Sequence, residues 1–117
     1  MREYLAVTKA MADASRARIL KLLEMKPLCV CQVVGVLGLR PSTVSKHLSI
    51  LRQAGLVEDR KSGKWVYYGL CQQNLNPFNQ TILALLKAWL NDDKKVQADR
   101  EKLQRILRLP LEQVCRM

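Results

Sequence analysis

One stretch of the sequence decides the fold, Leu39-Arg-Pro-Ser-Thr-Val-Ser-Lys-His-Leu-Ser-Ile-Leu-Arg-Gln-Ala-Gly-Leu56, and it predicts a short turn followed by one helix. Pro41 suits the first turn of a helix, where its missing N–H would have no partner in any case. Gly55 is typical of a position just past a helix end. Apolar residues recur between them at helical spacing and form one stripe. They are Val44, Leu48 and Leu51.

The opposite side of this predicted helix is small, polar and basic. Its residues are Ser42, Ser45, Lys46, Ser49 and Gln53. Such a face can enter the major groove of DNA, where lysine meets phosphate or guanine and hydroxyl or amide groups meet base edges. An ordinary amphipathic helix with a solvated face has the same periodicity. The neighbouring segments are therefore needed to choose between the two interpretations.

Two apolar-striped segments precede this helix. The first ends before Pro27 and is predicted to bury its leucines while its basic residues, Lys21 among them, stay in solvent. The second is predicted to begin near Leu28 or Cys29 and to close at Gly38. A short glycine-containing turn between two such helices is typical of a helix-turn-helix motif.

After the stretch, the apolar residues change from helical to alternating spacing. Leu56–Lys61 and Trp65–Leu70 are predicted to be two strands, and Ser62-Gly63 is a hairpin turn signal. A hairpin directly behind a helix-turn-helix is a wing. Its basic residues are predicted to reach backbone phosphate, although a hairpin standing alone would more simply have a solvated basic turn. They are Arg60, Lys61 and Lys64.

Helical spacing returns from Asn74 and predicts a helix of about 20 residues. Its apolar stripe comprises Phe78, Ile82, Leu85, Leu86 and Trp89. This is more apolar surface than a small domain needs for its own core, so we expect it to pack, with a short first helix, against a second copy in a two-fold homodimer. A last charged helix follows. The sequence thus predicts a DNA-binding and dimerisation domain over 1–110 and a tail without regular structure over 111–117.

Composition supports a polyanion partner. The 117 residues include 20 Lys and Arg against 10 Asp and Glu, a formal charge of +10. One domain that binds nucleic acid is the first expectation, and an anionic membrane surface fits the charge as well. No apolar run approaches the roughly 20 residues that span a bilayer, and no signal peptide begins the chain. We therefore expect a cytoplasmic protein without membrane contact, whose cysteines are thiols or metal ligands.

An enzymatic function is not predicted. His47 is the only histidine, and no carboxylate cluster accompanies it, so the sequence offers no acid-base or nucleophilic site. A thiol oxidoreductase is disfavoured because Cys29 and Cys31 have Cys-x-Cys spacing, whereas such enzymes use Cys-x-x-Cys.

Four segments carry a family resemblance: Met11–Leu20, Leu28–Gln32, Ser42–Leu56 and Asp59–Tyr68. In these segments the chain resembles the ArsR/SmtB family of metal- and metalloid-responsive repressors. The piece Leu-Cys-Val-Cys resembles the corresponding piece of the arsenic-responsive branch of that family. The resemblance implies a mainly α (α+β) fold, a winged helix-turn-helix with a two-stranded β-hairpin wing that dimerises through its terminal helices. It also implies repression of an arsenic-resistance operon, released when As(III) or Sb(III) binds cysteine thiolates, with no organic cofactor.

The resemblance also implies the residues of each site. Cys29 and Cys31 would bind the inducer. The family motif often has a further cysteine where this chain has Val34, so a third thiolate would come from Cys115 or Cys71, or from a small thiol in solution. Cys115 is preferred because a tail can move to the site. The residues expected to contact operator DNA are Ser42, Thr43, Ser45, Lys46, His47, Ser49, Arg60, Lys61 and Lys64.

The spacing of Cys29 and Cys31 suggests how release would occur. Residues two apart on a regular helix point about 200° apart around its axis, so both sulfurs could bind one ion only by distorting the first turn. That distortion would tilt the following helix, Pro41 to Gly55, out of the groove. The helix dipole is expected to help ionise a thiol in the first turn.

Two other signals remain open for the same scaffold. Cys29 or Cys31 would form a disulfide with another cysteine in a redox or sulfur sensor. A different thiophilic metal would bind the same thiolates in a sensor for that metal.

Overall fold

The computed structural model describes residues 1–72 and 76–116. Its elements are α1 Arg2–Met11, α2 Ala14–Leu23, β1 Leu28–Cys29, α3 Val30–Leu37, α4 Pro41–Gln53, β2 Val57–Ser62, β3 Trp65–Leu70, α5 Pro77–Lys87, α6 Lys94–Leu107 and α7 Leu111–Cys115. The strands form one antiparallel sheet in the order β1-β3-β2. Within the described ranges, no helix is both long enough and apolar enough to cross a membrane. The predicted class, a mainly helical winged helix-turn-helix, is confirmed.

The helix-turn-helix pair consists of α3 and α4. Gly38 ends α3 with a left-handed φ of 71°, which a side chain would strain, and Pro41 is the first residue of α4. The apolar stripe of α4 is completely buried, with Val44, Leu48 and Leu51 all inaccessible to solvent. The prediction for this stretch is therefore confirmed, and the buried stripe leaves the polar side of α4 outward.

The wing consists of β2 and β3, which pair from Val57 opposite Leu70 to Ser62 opposite Trp65. A tight turn joins them, with Gly63 at a φ of 60°. The predicted hairpin is confirmed, with its turn at Gly63-Lys64, one residue later than the predicted Ser62-Gly63, and the sheet has a third strand. Leu28 and Cys29 are extended and form β1, a strand that the sequence did not predict and that pairs with β3, and α3 begins at Val30, next to the predicted start near Leu28 or Cys29. Pairing with a strand almost 40 residues later overrides the local helical pattern.

The buried core contains a lysine. Lys21 was predicted to stay in solvent, but its side chain is 1% exposed between α2, α5 and α6. Its Nζ donates to the Leu86 carbonyl at 2.8 Å and pairs with Glu24 Oε1 at 2.8 Å. Arg100 of α6 pairs with the same Glu24 oxygen at 3.1 Å. A buried ammonium is tolerated because these oxygens replace its water.

The predicted helix of about 20 residues is shorter than expected. Asn74 lies outside the described residues, and α5 has 11 residues and gives way to a turn in which Leu90 has a φ of 66°. Leu86 was assigned to the dimer face but packs into the chain's own core. The apolar residues left exposed on α5 and in the turn after it include Phe78, Leu85 and Trp89.

The tail (residues 111–117) contains a regular element that the sequence did not predict. Residues Leu111–Cys115 form α7, which packs against α3 with Val114 buried. A five-residue helix has too few periodic positions to be recognised from sequence, and packing against α3 stabilises it. The division between 1–110 and 111–117 stays a prediction.

A bidentate ion pair joins α2 to α6. Arg18 Nε and Nη2 donate to the two carboxylate oxygens of Asp99 at 2.8 and 2.9 Å. Side-chain exposure is 18% for Arg18 and 6% for Asp99, so water screens this pair weakly. By contrast, Arg52 and Asp59 form a 3.3 Å pair at exposures of 52% and 37%.

We predict that Asp99→Ala lowers the free energy of unfolding by about 2 kcal/mol or more, because it leaves a poorly hydrated guanidinium without its partner. Asp59→Ala is the matched control, and we expect it to cost less than about 1 kcal/mol because its pair is exposed. Urea unfolding at equal protein concentration measures both. Equal losses would show that burial does not determine the strength of the first pair.

Candidate thiol site and nucleic-acid interface

The outward side of α4 presents a continuous polar surface. Ser42, Thr43, Ser45 and Lys46 are exposed, and Ser49 is half-buried beside them. Arg40 precedes the helix as its N-cap residue and is exposed as well. Sequence reasoning did not select Arg40, although a basic residue just before a helix start was a usable signal. This surface has the donors and the positive charge that phosphate and base edges accept.

His47 lies apart from that surface. Its ring is half-buried, and Nδ1 is 3.2 Å from Arg16 Nη1 of α2. The structure therefore brings the hydroxyl residues and Lys46 together on α4 and turns His47 toward its own protein.

The three basic residues of the wing have different surroundings. Successive residues of β2 point to opposite faces, so Lys61 shares a face with Asp59, which binds Arg52 of α4. Arg60 is on the other face and lines a groove beside α2 and α5. Lys64 Nζ is 3.5 Å from Glu112 Oε1 of α7 and 5.1 Å from the centre of the Trp65 ring. Of the three, Lys61 is thus on the side of α4, and Lys64 has a carboxylate neighbour.

The thiol site joins α3 to α7. Cys31 and Cys115 form a disulfide, with Cα atoms 5.1 Å apart and 84 residues between them in sequence. The expectation that these cysteines are reduced thiols or metal ligands does not describe this state of the protein. Residues 1–72 and 76–116 contain no group of three or more His, Cys, Asp or Glu side chains arranged to hold a metal ion.

Cys29 is two residues before Cys31 in sequence, but its environment differs from that of Cys31. It is the N-cap of α3, with extended φ and ψ of −80° and 158°, and its N–H donates to Gln32 Oε1 at 2.9 Å. The premise that both cysteines lie on one regular helix is therefore wrong, and the 200° argument does not apply. Burial raises the pKa of the Cys29 thiol, and a hydrogen bond with Tyr67 only partly opposes that rise. The cysteine in the first turn of α3 is Cys31, so the expected help of the helix dipole in ionising a first-turn thiol concerns that residue and stays a prediction.

Cys71 follows β3 and lines the same groove as Arg60. Its thiol is free and half-buried. Burial raises its pKa, and the nearby Glu58 carboxylate adds to that effect.

The sequence is similar to those of a known protein family. A family model described as "Bacterial regulatory protein, arsR family" matches residues 13–59, which span α2 to the first wing strand. The arsenical resistance operon repressor of Escherichia coli K12 is 40% identical over 93 residues, covering 77% of this chain and 75% of that protein. The chain belongs to the arsR family. Its resemblance to that family is thus confirmed, and as a member of a family of regulatory proteins it is not an enzyme.

Solved structures support the fold of this arsR regulator. It is similar to the homodimeric winged helix-turn-helix DNA-binding domain of Mb0332 from Mycobacterium bovis, with a TM-score of 0.65 and 27% identity over 80% of this chain and 82% of that one. It is also similar to the cadmium sensor CMTR of Mycobacterium tuberculosis, with a TM-score of 0.58 and 32% identity over 75% and 84% of the two chains.

In the reduced protein, we predict that iodoacetamide labels Cys29 more slowly than Cys115. Only the thiolate attacks, and burial disfavours the thiolate of Cys29. Its labelling rate should still be rising as the pH passes 9.0, the ordinary thiol value. Mass spectrometry of timed samples measures both rates, and urea-unfolded protein should label at both sites alike. Equal rates in the folded protein would contradict the effect of burial.

Proposed function

We propose that this chain is a homodimeric transcriptional repressor that binds operator DNA and releases it when As(III) or Sb(III) binds cysteine thiolates. One observation carries the proposal: Cys115 of α7 meets Cys31 of α3, the first helix of the helix-turn-helix. Two soft ligands from distant parts of the chain thus lie together beside the element that precedes the DNA-facing helix. A protein that binds operator DNA is expected to work in the cytoplasm.

Operator binding is supported by the exposed surface of α4. Hydroxyl groups, Lys46 and Arg40 cover its outward side, and Lys61 lies on the same side of the wing. The net charge of +10 favours a polyanion, because neutralised phosphates release counterions. A similar structure from Mycobacterium bovis is itself described as a DNA-binding domain.

The inducer site would use Cys29, Cys31 and Cys115 in their reduced form. As(III) and Sb(III) are thiophilic, and three soft thiolates suit such ions. Cys31 and Cys115 are already neighbours, and Cys29 caps the same helix two residues earlier. Binding of As(OH)3 would replace its hydroxyl groups with thiolates, and each thiol proton, that of Cys29 included, would leave in a molecule of water. Cd(II) accepts the same ligands, and one similar protein is a cadmium sensor.

Two physical connections lead from this site toward DNA. The short turn after Gly38 joins α3 to α4. In addition, α7 carries both Cys115 and Glu112, whose carboxylate attracts Lys64 at the wing. A movement of α7 would therefore change the charge that Lys64 presents to phosphate. Reversing a 99:1 preference between two states takes about 5.5 kcal/mol of differential affinity, which three metal–thiolate bonds are able to supply.

The disulfide favours a second candidate function, a redox-responsive repressor. Hydrogen peroxide would oxidise the two thiols, with one S–S bond formed between Cys31 and Cys115, two S–H bonds broken and two water molecules released. The bonded state has α7 attached to α3. Cys29 has no part in this reaction, which separates the two candidates experimentally.

The proposed dimer uses the apolar surface that α1 and α5 leave exposed. The starts of these helices adjoin, with Asn76 Nδ2 donating to Glu3 Oε2 at 3.4 Å. Large apolar side chains stay in solvent on both helices and in the turn after α5, and they are Tyr4, Leu5, Phe78, Leu85 and Trp89. Such a patch on a small protein is typical of an interface. A two-fold dimer would present two copies of α4 to half-sites about one DNA turn apart.

We expect arsenite to release the reduced wild-type protein from a labelled duplex, chosen from a random pool by binding to this protein. Cys29→Ser, Cys31→Ser and Cys115→Ser should bind the duplex but lose at least about tenfold in arsenite sensitivity, because each removes one soft ligand. Fluorescence anisotropy follows the release. Cys71→Ser is the matched control and should respond as the wild type does.

Peroxide applied to the same variants distinguishes the second candidate. If peroxide releases the wild type and Cys29→Ser alike while arsenite releases neither, the redox function replaces the metalloid function. If cadmium acts and arsenite does not, the site is a metal sensor of different selectivity. A wild type that selects no duplex would contradict both candidates.

We predict that Leu85→Glu converts the dimer to a monomer, because it buries a charge in an apolar interface. Leu85 is 61% exposed in the single chain, so the substitution should not unfold it. Sedimentation equilibrium measures the mass. Met25→Glu is the matched control, since Met25 is an exposed apolar residue on neither α1 nor α5. A dimer that survives Leu85→Glu would exclude this face.

A further inference from the structure

We propose that His47 supports DNA binding through Arg16, as a positioning residue that holds α4 against the corner between α1 and α2, and not by contact with DNA. This inference rests on the proposed function. It assigns a role to Arg16, one of the basic residues of α2 that were predicted to stay in solvent, and it replaces the DNA contact that the family resemblance implies for His47.

Arg16 joins three helices with one guanidinium. It projects from α2, and its Nε and Nη2 donate to the carbonyls of Ala10 and Lys9 at 2.7 and 3.1 Å. These carbonyls belong to the last turn of α1, where no further turn supplies N–H partners. The remaining nitrogen, Nη1, is 3.2 Å from His47 Nδ1 of α4.

Asp13 fixes the position of the Arg16 backbone. Asp13 is the N-cap of α2, and its carboxylate accepts from the Arg16 backbone N–H at 3.0 Å. That hydrogen bond keeps the pKa of Asp13 below its ordinary value, and the charge of Arg16 contributes. The first turn of α2 is therefore well defined, and the guanidinium begins from a fixed point.

The chemistry of the contact determines whether Nδ1 of His47 donates or accepts. A guanidinium has donors only, so Nδ1 of His47 must be the acceptor. That nitrogen faces α2 and is not available to a base or a phosphate. Lys46 and Ser45, its neighbours on the outward side of α4, are exposed, whereas His47 is half-buried.

The position of α4 relative to α1 affects DNA binding because α1 belongs to the proposed dimer interface and α4 to the proposed DNA surface. Tyr4 and Leu5 of α1 belong to the proposed interface, and α4 would enter the groove. Two half-sites about one turn apart tolerate only a narrow range of distances between the two α4 helices. A contact that fixes α4 to the end of α1 thus helps to set that distance.

Two replacements of His47 test the proposal, because each preserves a different ring position. In His47→Asn, the amide oxygen takes the place of Nδ1 and can still accept from Arg16. In His47→Gln, the amide instead reaches the place of Nε2, the nitrogen left to face DNA. We expect His47→Asn to bind the selected duplex within about twofold of the wild type, and His47→Gln and Arg16→Gln to lose about tenfold, the effect of one charge-assisted hydrogen bond.

The double variant Arg16→Gln/His47→Gln should bind no more weakly than Arg16→Gln alone, because both changes remove the same contact. Retained binding by His47→Gln with loss in His47→Asn would show that His47 contacts DNA and would overturn the proposal. Wild-type binding by all the variants, or additive losses in the double variant, would overturn it too. Circular dichroism checks that each variant is folded.

A failure of the proposed function is recognisable separately. Lys46→Ala should weaken binding and reduce its salt dependence by about one phosphate contact, so a wild type that selects no duplex, or an unaffected Lys46→Ala, counts against DNA binding by this surface. Urea unfolding then reports on the contact alone. Arg16→Gln and His47→Gln should be destabilised while His47→Asn is not, and any other order would refute the Arg16–His47 link.

Discussion

Burial of one face of α4 is the constraint on which the rest of this protein depends. Val44, Leu48 and Leu51 are removed from water completely, and their rotation about the helix axis determines where every other residue of α4 points. The serines, Thr43 and Lys46 are outward for that reason alone. The wing extends the same surface, because Asp59 of β2 binds Arg52 near the end of α4. The surface proposed to bind nucleic acid is thus the complement of the core.

The parts proposed to control this surface are held at its margins by hydrogen bonds and by a disulfide. Arg16 ties α4 to the end of α1, and the Cys31–Cys115 bond ties α7 to α3. The apolar core holds the helices together with little directional preference, whereas hydrogen bonds and covalent bonds have defined geometry. A ligand or an oxidant that acts on a few such contacts is able to shift helices without unfolding the core.

Much of the fold could be predicted because its signals are local. Pro41 and the apolar period marked α4, and Ser62-Gly63 with alternating residues marked the wing. The failures occurred where a distant partner overrode the local pattern. Leu28 and Cys29 pair with β3 and are extended, and Lys21 is buried because Leu86 and Glu24 supply its oxygen partners. Periodicity measures only which positions along an element are apolar. It therefore does not reveal a distant strand or a distant hydrogen-bond partner.

For the site, the residue types were predictable and their arrangement was not. The sequence by itself determined the polar outward side of α4, the hairpin and which residues are soft thiols, since each depends on residues within a few positions of one another. Only the tertiary structure decided that Cys115 meets Cys31 across 84 residues, that Cys29 caps α3 from an extended backbone, and that His47 faces Arg16. These outcomes depend on how whole helices pack, because a side chain's partner is determined by the surface brought against it.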